Sequence, residues 1–100
     1  MEIKLSKAGK IRFEDRTKRD WHASDPSQPD ILQSSIFAGE QMIAYGLEGD
    51  DVDDDGRVVI TAPFTLSYFG FKAEFNSMAD AKENAPEFAR EVLRRMLEMI

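Results

Sequence analysis

Residues 31–48 read ILQSSIFAGEQMIAYGLE, and whether this stretch is one helix or a strand decides the fold. Asp30 is placed to cap a helix beginning at Ile31, because a short side-chain oxygen can accept the unpaired first amides. Ile36, Ile43 and Leu47 then fall on one stripe at the 3.6-residue period, flanked by Phe37 and Ala44. Glu40 lies inside that stripe, and Gly39 and Gly46 weaken it. These conflicts support a rival in which Met42 to Glu48 is a strand, paired across an acidic loop with Arg57 to Ala62. The helix is the reading adopted.

Upstream, Ile3 and Leu5 alternate with Glu2 and Lys4, and Ile11 and Phe13 alternate with Lys10, Arg12 and Glu14. With Ala8-Gly9 between them, they predict a hairpin with one buried face. Residues 16–30 contain Pro26 and Pro29 with no period of either kind, which predicts a long surface loop. Downstream, Val58, Ile60 and Ala62 alternate until Pro63, and Phe69, Phe71, Ala73 and Phe75 alternate again. Phe64, Leu66 and Tyr68 have the opposite parity to Phe69, so a bulge or turn is expected between Ser67 and Gly70. The last segment is amphipathic: Phe88, Ala89, Val92, Leu93, Met96, Leu97, Met99 and Ile100 share one half of a helical wheel. Pro86 suits a first helical turn. A short helix from Met78 to Asn84, capped by Asn76 or Ser77, is expected before it. The expected order is ββαββα, an α+β single domain over residues 1–100 with about four antiparallel strands and helices on one face. Phe88, Val92 and Met96 are expected to pack on Phe69, Phe71 and Phe75.

Charge is segregated along the chain. Between Trp21 and Gly56 there is no lysine or arginine, yet there are nine carboxylates: Asp25, Asp30, Glu40, Glu48, Asp50, Asp51, Asp53, Asp54 and Asp55. Residues 1–20 carry +3 and residues 57–100 are neutral, within a net charge of −6. Such a field bears on partners and association rate, not on fold. A 42% hydrophobic content with seven Phe is that of a globular chain. Zero cysteines exclude a disulfide scaffold, a thiolate metal site and a cysteine nucleophile. No apolar run approaches the roughly 20 residues that span a bilayer, so a cytoplasmic protein with no membrane partner is expected.

The motifs are few. Asp51-Val52-Asp53-Asp54-Asp55-Gly56 is similar to the first half of an EF-hand calcium loop, with oxygens at alternate positions and glycine at the sixth. Position 12, normally a bidentate Glu, is Ala62, and strand-like sequence follows. The plain reading is a solvated acidic turn ending at a glycine with positive φ; the alternative is a calcium site on Asp51, Asp53 and Asp55. His22 is the sole histidine, which excludes a histidine pair on a metal and leaves a surface-loop residue. No phosphate loop or nucleophile motif is present, so no catalytic residue, cofactor or enzymatic activity is expected. Trp21, the only tryptophan, either covers the edge of the core or anchors a partner. Lys7, Lys10, Arg12, Arg16, Lys18 and Arg19 form a basic set, but the net charge opposes direct nucleic-acid binding.

In composition the chain resembles the DNA-mimic, anti-CRISPR and anti-restriction proteins of phages and mobile elements: small, cysteine-free, acidic and without a catalytic motif. The resemblance implies an inhibitor or adaptor that offers a negative surface to a basic protein. The expected contacts are Asp50, Asp51, Asp53, Asp54 and Asp55, with Glu48, Trp21 and Asp25 as neighbours. The alternatives are a structural subunit of a virion or homo-oligomer, homodimer included, and a calcium-binding module.

Overall fold

The computed structural model describes the backbone of residues 4–5, 9–10 and 18–100, and side chains from Asp20 onward. Lys4–Leu5 (β1) and Gly9–Lys10 (β2) pair antiparallel, Lys4 opposite Lys10. The rest of the expected N-terminal hairpin, and the basic side chains of residues 7–19, lie outside the described residues. The main sheet has five antiparallel strands in sequence order: Lys18–Ala23 (β3), Leu32–Phe37 (β4), Glu40–Val52 (β5), Val58–Tyr68 (β6) and Phe71–Phe75 (β7). One helix, Met78–Glu98 (α1), follows. Among the described residues the fold is therefore α+β, with five strands in the main sheet in place of about four and one helix in place of several.

The principal correction falls on residues 31–48. Asp30 caps no helix; β4 and the first part of β5 form a hairpin, turning at Ala38 (φ 52°) and Gly39 (φ 80°). Two successive left-handed residues give the turn whose twist matches that of paired strands. The inward positions of β4 are Gln33, Ser35 and Phe37, while Leu32, Ser34 and Ile36 face the other way. Two polar residues thus occupy the buried face and hide the alternation. Burial is tolerable because each is bonded. Gln33 Nε2 donates to the Pro29 carbonyl at 3.0 Å and its Oε1 accepts from Lys82 Nζ at 3.3 Å, while Ser35 Oγ donates to the Asp20 carbonyl at 3.1 Å.

The expected loop over 16–30 also shrinks, because Lys18–Ala23 is strand, with His22 opposite Ser34. The acidic loop over 48–56 is largely strand: β5 runs through Val52, which pairs with Val58. The rival strand from Met42 to Glu48 is present, but only its end meets the expected partner, with Leu47 opposite Thr61 and Glu48 opposite Ile60, while Ile43 to Tyr45 pair with Ser67 to Thr65, beyond Ala62. Between Ser67 and Phe71 the chain turns at Phe69 (φ 48°) and Gly70 (φ 81°), where the parity change required a turn.

α1 covers one face of β5, β6 and β7. Ser77 caps it, its Oγ accepting from the Asp80 amide at 3.0 Å. The helix continues through Pro86, so the two helices expected on either side of that residue are one. The core joins Phe37, Met42, Ala44, Phe64, Leu66 and Tyr68 of the sheet to Met78, Ala81, Ala85, Ala89 and Val92 of the helix. Ala81, Ala85 and Ala89 recur every four residues, and their small side chains let the helix axis lie close to Leu66 and Tyr68. Met42, Leu66 and Val92 are almost wholly buried; burying three such side chains contributes roughly 5–9 kcal/mol. The expected Phe69–Phe88 layer is displaced accordingly: Phe69 is 41% exposed in its turn, and Phe71, Phe75 and Phe88 flank the core.

Candidate interaction site

The thirteen residues of β5 and eleven of β6 form a hairpin that outruns the helix. At about 3.4 Å per residue, the β5 arm spans about 44 Å. The core takes Met42 and Ala44 from β5 and nothing beyond them, so residues 47–58 project past the two-layer body. Two irregularities shape the arms. Tyr45 faces Thr65 but Leu47 faces Thr61, so β6 carries two extra residues around Pro63, whose peptide bond with Ala62 is cis. Glu48 faces Ile60 and Val52 faces Val58, so β5 carries two extra residues around Asp50. The second bulge offsets the first and the tip closes in register. Bulges of this kind bend and twist a ribbon locally.

Asp53 builds the tip. Its amide donates to the Arg57 carbonyl (2.8 Å) and its carbonyl accepts from the Gly56 amide (3.0 Å). Its Oδ1 accepts from the amides of Asp55 (2.9 Å) and Arg57 (3.0 Å). Gly56 has φ +78° with open space around it, as the plain reading of the turn required. A carboxylate that folds back on its own turn is an Asx-type closure. It leaves Asp51 on a strand and Asp53 facing the turn backbone. Among the described residues, no group of three metal-ligating side chains gathers, so Asp51, Asp53 and Asp55 are not brought together as a calcium shell.

Glu48, Asp50, Asp51, Asp53, Asp54 and Asp55 are all exposed on this projection. Among the described residues, the cation beside the tip, Arg57, is turned aside: its Nη1 donates to the Ser27 carbonyl at 3.2 Å. The ion pairs among the described residues lie on α1, between Glu91, Glu98, Arg94 and Arg95. The tip carboxylates are therefore gathered at one end and not neutralised by the described basic side chains.

A loop spanning residues 24–31 props the hairpin from the side. Gln28 Nε2 donates to the Val58 carbonyl (3.2 Å), and the Gly46 amide donates to the Asp30 carbonyl (3.1 Å). Asp25 belongs to this prop, near the base of the tip. It accepts from the Ser27 hydroxyl (2.7 Å) and amide (3.0 Å). Those bonds, hydroxyl first, hold its carboxyl below the usual range, and the charge of Arg57 adds to them. Trp21 is elsewhere. It packs beside the core with its ring centroid 6.2 Å from that of Phe37. His22, its neighbour, is level with Ser34 and hence Ile43, nine positions short of Val52, or about 30 Å along the strand. His22 itself is exposed and, with Asp20, Ser34, Ile36 and Gln41, lines a depression of about 180 Å³ on the sheet face away from α1.

Sequence reasoning passed over the apolar residues between the acids. Leu47 is 53% exposed, Val52 63% and Val58 38%. Their signal was present in the chain, because Val52 interrupts the aspartate run. The site thus joins dense negative charge to a few uncovered aliphatic groups. Comparison with family models, curated proteins and solved structures yields no match.

Proposed function

We propose that the protein is a non-catalytic interaction protein that inserts its acidic hairpin tip into a basic site on a protein partner, as an inhibitor or adaptor. The observation that carries this reading is the placement of six exposed carboxylates on a projecting ribbon whose neighbouring arginine points away from them. Glu48, Asp50, Asp51, Asp54 and Asp55 crowd exposed charge into one end of the ribbon, a density that steers it toward a basic groove. Val52 and Leu47 supply apolar contact, which long-range attraction alone does not provide. A partner of this kind associates fast at low salt and slowly at high salt.

The test uses a deca-arginine peptide as probe, followed by fluorescence anisotropy. Replacing Asp51, Asp53 and Asp55 together by Asn keeps an acceptor oxygen at position 53 for the turn amides while removing three charges. Binding should weaken by roughly tenfold or more at low salt. Replacing Glu40, Glu83 and Glu87 by Gln makes the same change in net charge away from the tip and should have little effect. Equal losses in both triple variants, or affinity indifferent to ionic strength, would show that the tip is not the recognition element.

A further inference from the structure

Among the described residues, β7 is the last strand of the five-stranded sheet, and no described strand pairs with its outer side. Its sequence is Phe71-Lys72-Ala73-Glu74-Phe75. Read against itself in the antiparallel sense about Ala73, this sequence is self-complementary. Phe71 falls opposite Phe75 of a second strand, Lys72 opposite Glu74, and Ala73 opposite its own mate. We propose that two copies of the chain join edge to edge through β7 in this register, making one ten-stranded sheet with both helices on the same face. This inference stands apart from the function proposed for the acidic tip.

The backbone agrees with the register. Phe69-Gly70 is a two-residue turn, so Tyr68 and Phe71 exchange hydrogen bonds across it, and every second pair does the same. Phe71, Ala73 and Phe75 direct their amides and carbonyls to β6. Lys72 and Glu74 therefore direct theirs outward to the open edge. In the Ala73-centred register, Lys72 of one copy faces Glu74 of the other as a hydrogen-bonded pair, twice over. A shift that sets Glu74 against Glu74, or Lys72 against Lys72, also aligns the outward amides but opposes like charges, which disfavours it. Edge lysines commonly block such pairing; here the block is lifted because its two-fold partner is a carboxylate.

The side chains agree as well. Lys72 and Glu74 are exposed, while Phe71 and Phe75 are half-buried on the helix side. Beside this edge, Phe71, Phe88, Val92, Glu91 and Arg95 border a groove of about 250 Å³. The second copy's Phe75 arrives at its mouth, opposite Phe71, as an aromatic cross-strand pair. The two-fold axis passes through the sheet at Ala73, so the two acidic tips point in opposite directions and do not confront each other.

Sedimentation equilibrium of the full chain tests the proposal. The expected mass is twice 11.4 kDa, with the dimer populated at about 0.1 mM. Lys72→Glu and Glu74→Lys should each weaken the dimer by roughly tenfold or more, because each converts two attractive contacts into two repulsive ones. Combined in one chain, the two substitutions restore opposite charges across the axis and should restore the dimer, a recovery that a folding defect would not show. Ala73→Cys, in a chain without other cysteines, should oxidise to a single cross-linked dimer, since facing residues of a non-hydrogen-bonded pair lie within disulfide reach. A monomer throughout the concentration range overturns the proposal. A dimer insensitive to both charge reversals, or one that the double exchange fails to restore, shows that the copies meet elsewhere.

Discussion

Gly46→Ala should destabilise the protein well beyond the ordinary cost of a surface methyl. Gly46 sits where the hairpin arms lose register, opposite the residues around Pro63. A methyl there would lie 2.2 Å from Ile60 Cγ2, 2.8 Å from Phe64 Cε1 and 2.9 Å from the Asp30 carbonyl oxygen, where ordinary contact begins at 3.4 Å. Ile60 is β-branched and has little rotamer freedom with which to withdraw. Phe64 is 7% exposed and held by the core. The Asp30 carbonyl is main chain and already accepts from the Gly46 amide. With none of the three neighbours free to yield, overpacking should cost about 2–3 kcal/mol, a large part of a stability that is typically about 5–15 kcal/mol. Urea unfolding followed by circular dichroism should show the midpoint falling by roughly 1–2 M with the slope unchanged. Ile60→Ala removes the closest contact, so the alanine at position 46 should cost about 1 kcal/mol less in that background. A cost below about 0.5 kcal/mol, or the same cost in both backgrounds, would refute the steric argument.

Two further outcomes concern α1. Glu91 is bonded by Arg94 and Arg95, which pull its carboxyl down to about 2 from 4.5. Because the folded value is the lower one, the stabilisation is complete above the ordinary range and disappears as pH falls from about 4.5 through about 2. The difference in melting temperature between the native chain and Glu91→Gln should close over that window, and a constant difference would show that the pairs do not stabilise the fold. Pro86 lies inside the helix, where it removes the bond to the Lys82 carbonyl and crowds that residue. Pro86→Ala should raise stability by about 1–3 kcal/mol in urea unfolding, and a lower midpoint would mean that the ring has a packing role outweighing the lost bond.

What was legible in the chain followed from period and parity. The C-terminal helix, a cap at Asn76 or Ser77 and the turn before Phe71 could be read because each depends on local chemistry, but of the apolar half-wheel only Phe88, Ala89, Val92 and Met96 meet the core, while Leu97, Met99 and Ile100 stay exposed. The helix over 31–48 was misread because β4 inverts the usual rule: Gln33 and Ser35 face the core and Ile36 faces away. Two of their partners, Lys82 and Asp20, are far away in sequence, and the third, Pro29, bonds Gln33 from a loop, so no period in the window announces them. Leu47 and Ile43 then mimic a helical stripe although they sit on a ribbon. At the candidate site, the aspartates were found by composition alone. Their gathering on one projection depends on β5 continuing to Val52, which the acidic sequence disguised as loop. Trp21 could not be assigned from sequence, because only the pairing of β3 with β4 shows that it lies at the Phe37 end.

The lateral prop from residues 24–31 changes what capture of the tip entails. A disordered acidic tail must surrender its conformational freedom when a partner seizes it, and that entropy loss subtracts from affinity. Here Gln28, Asp30 and Arg57 have already fixed the ribbon's heading during folding. Untying that lashing, with the aspartates left in place, would cost residence time on the partner and leave the encounter rate, which total charge governs, nearly as it was.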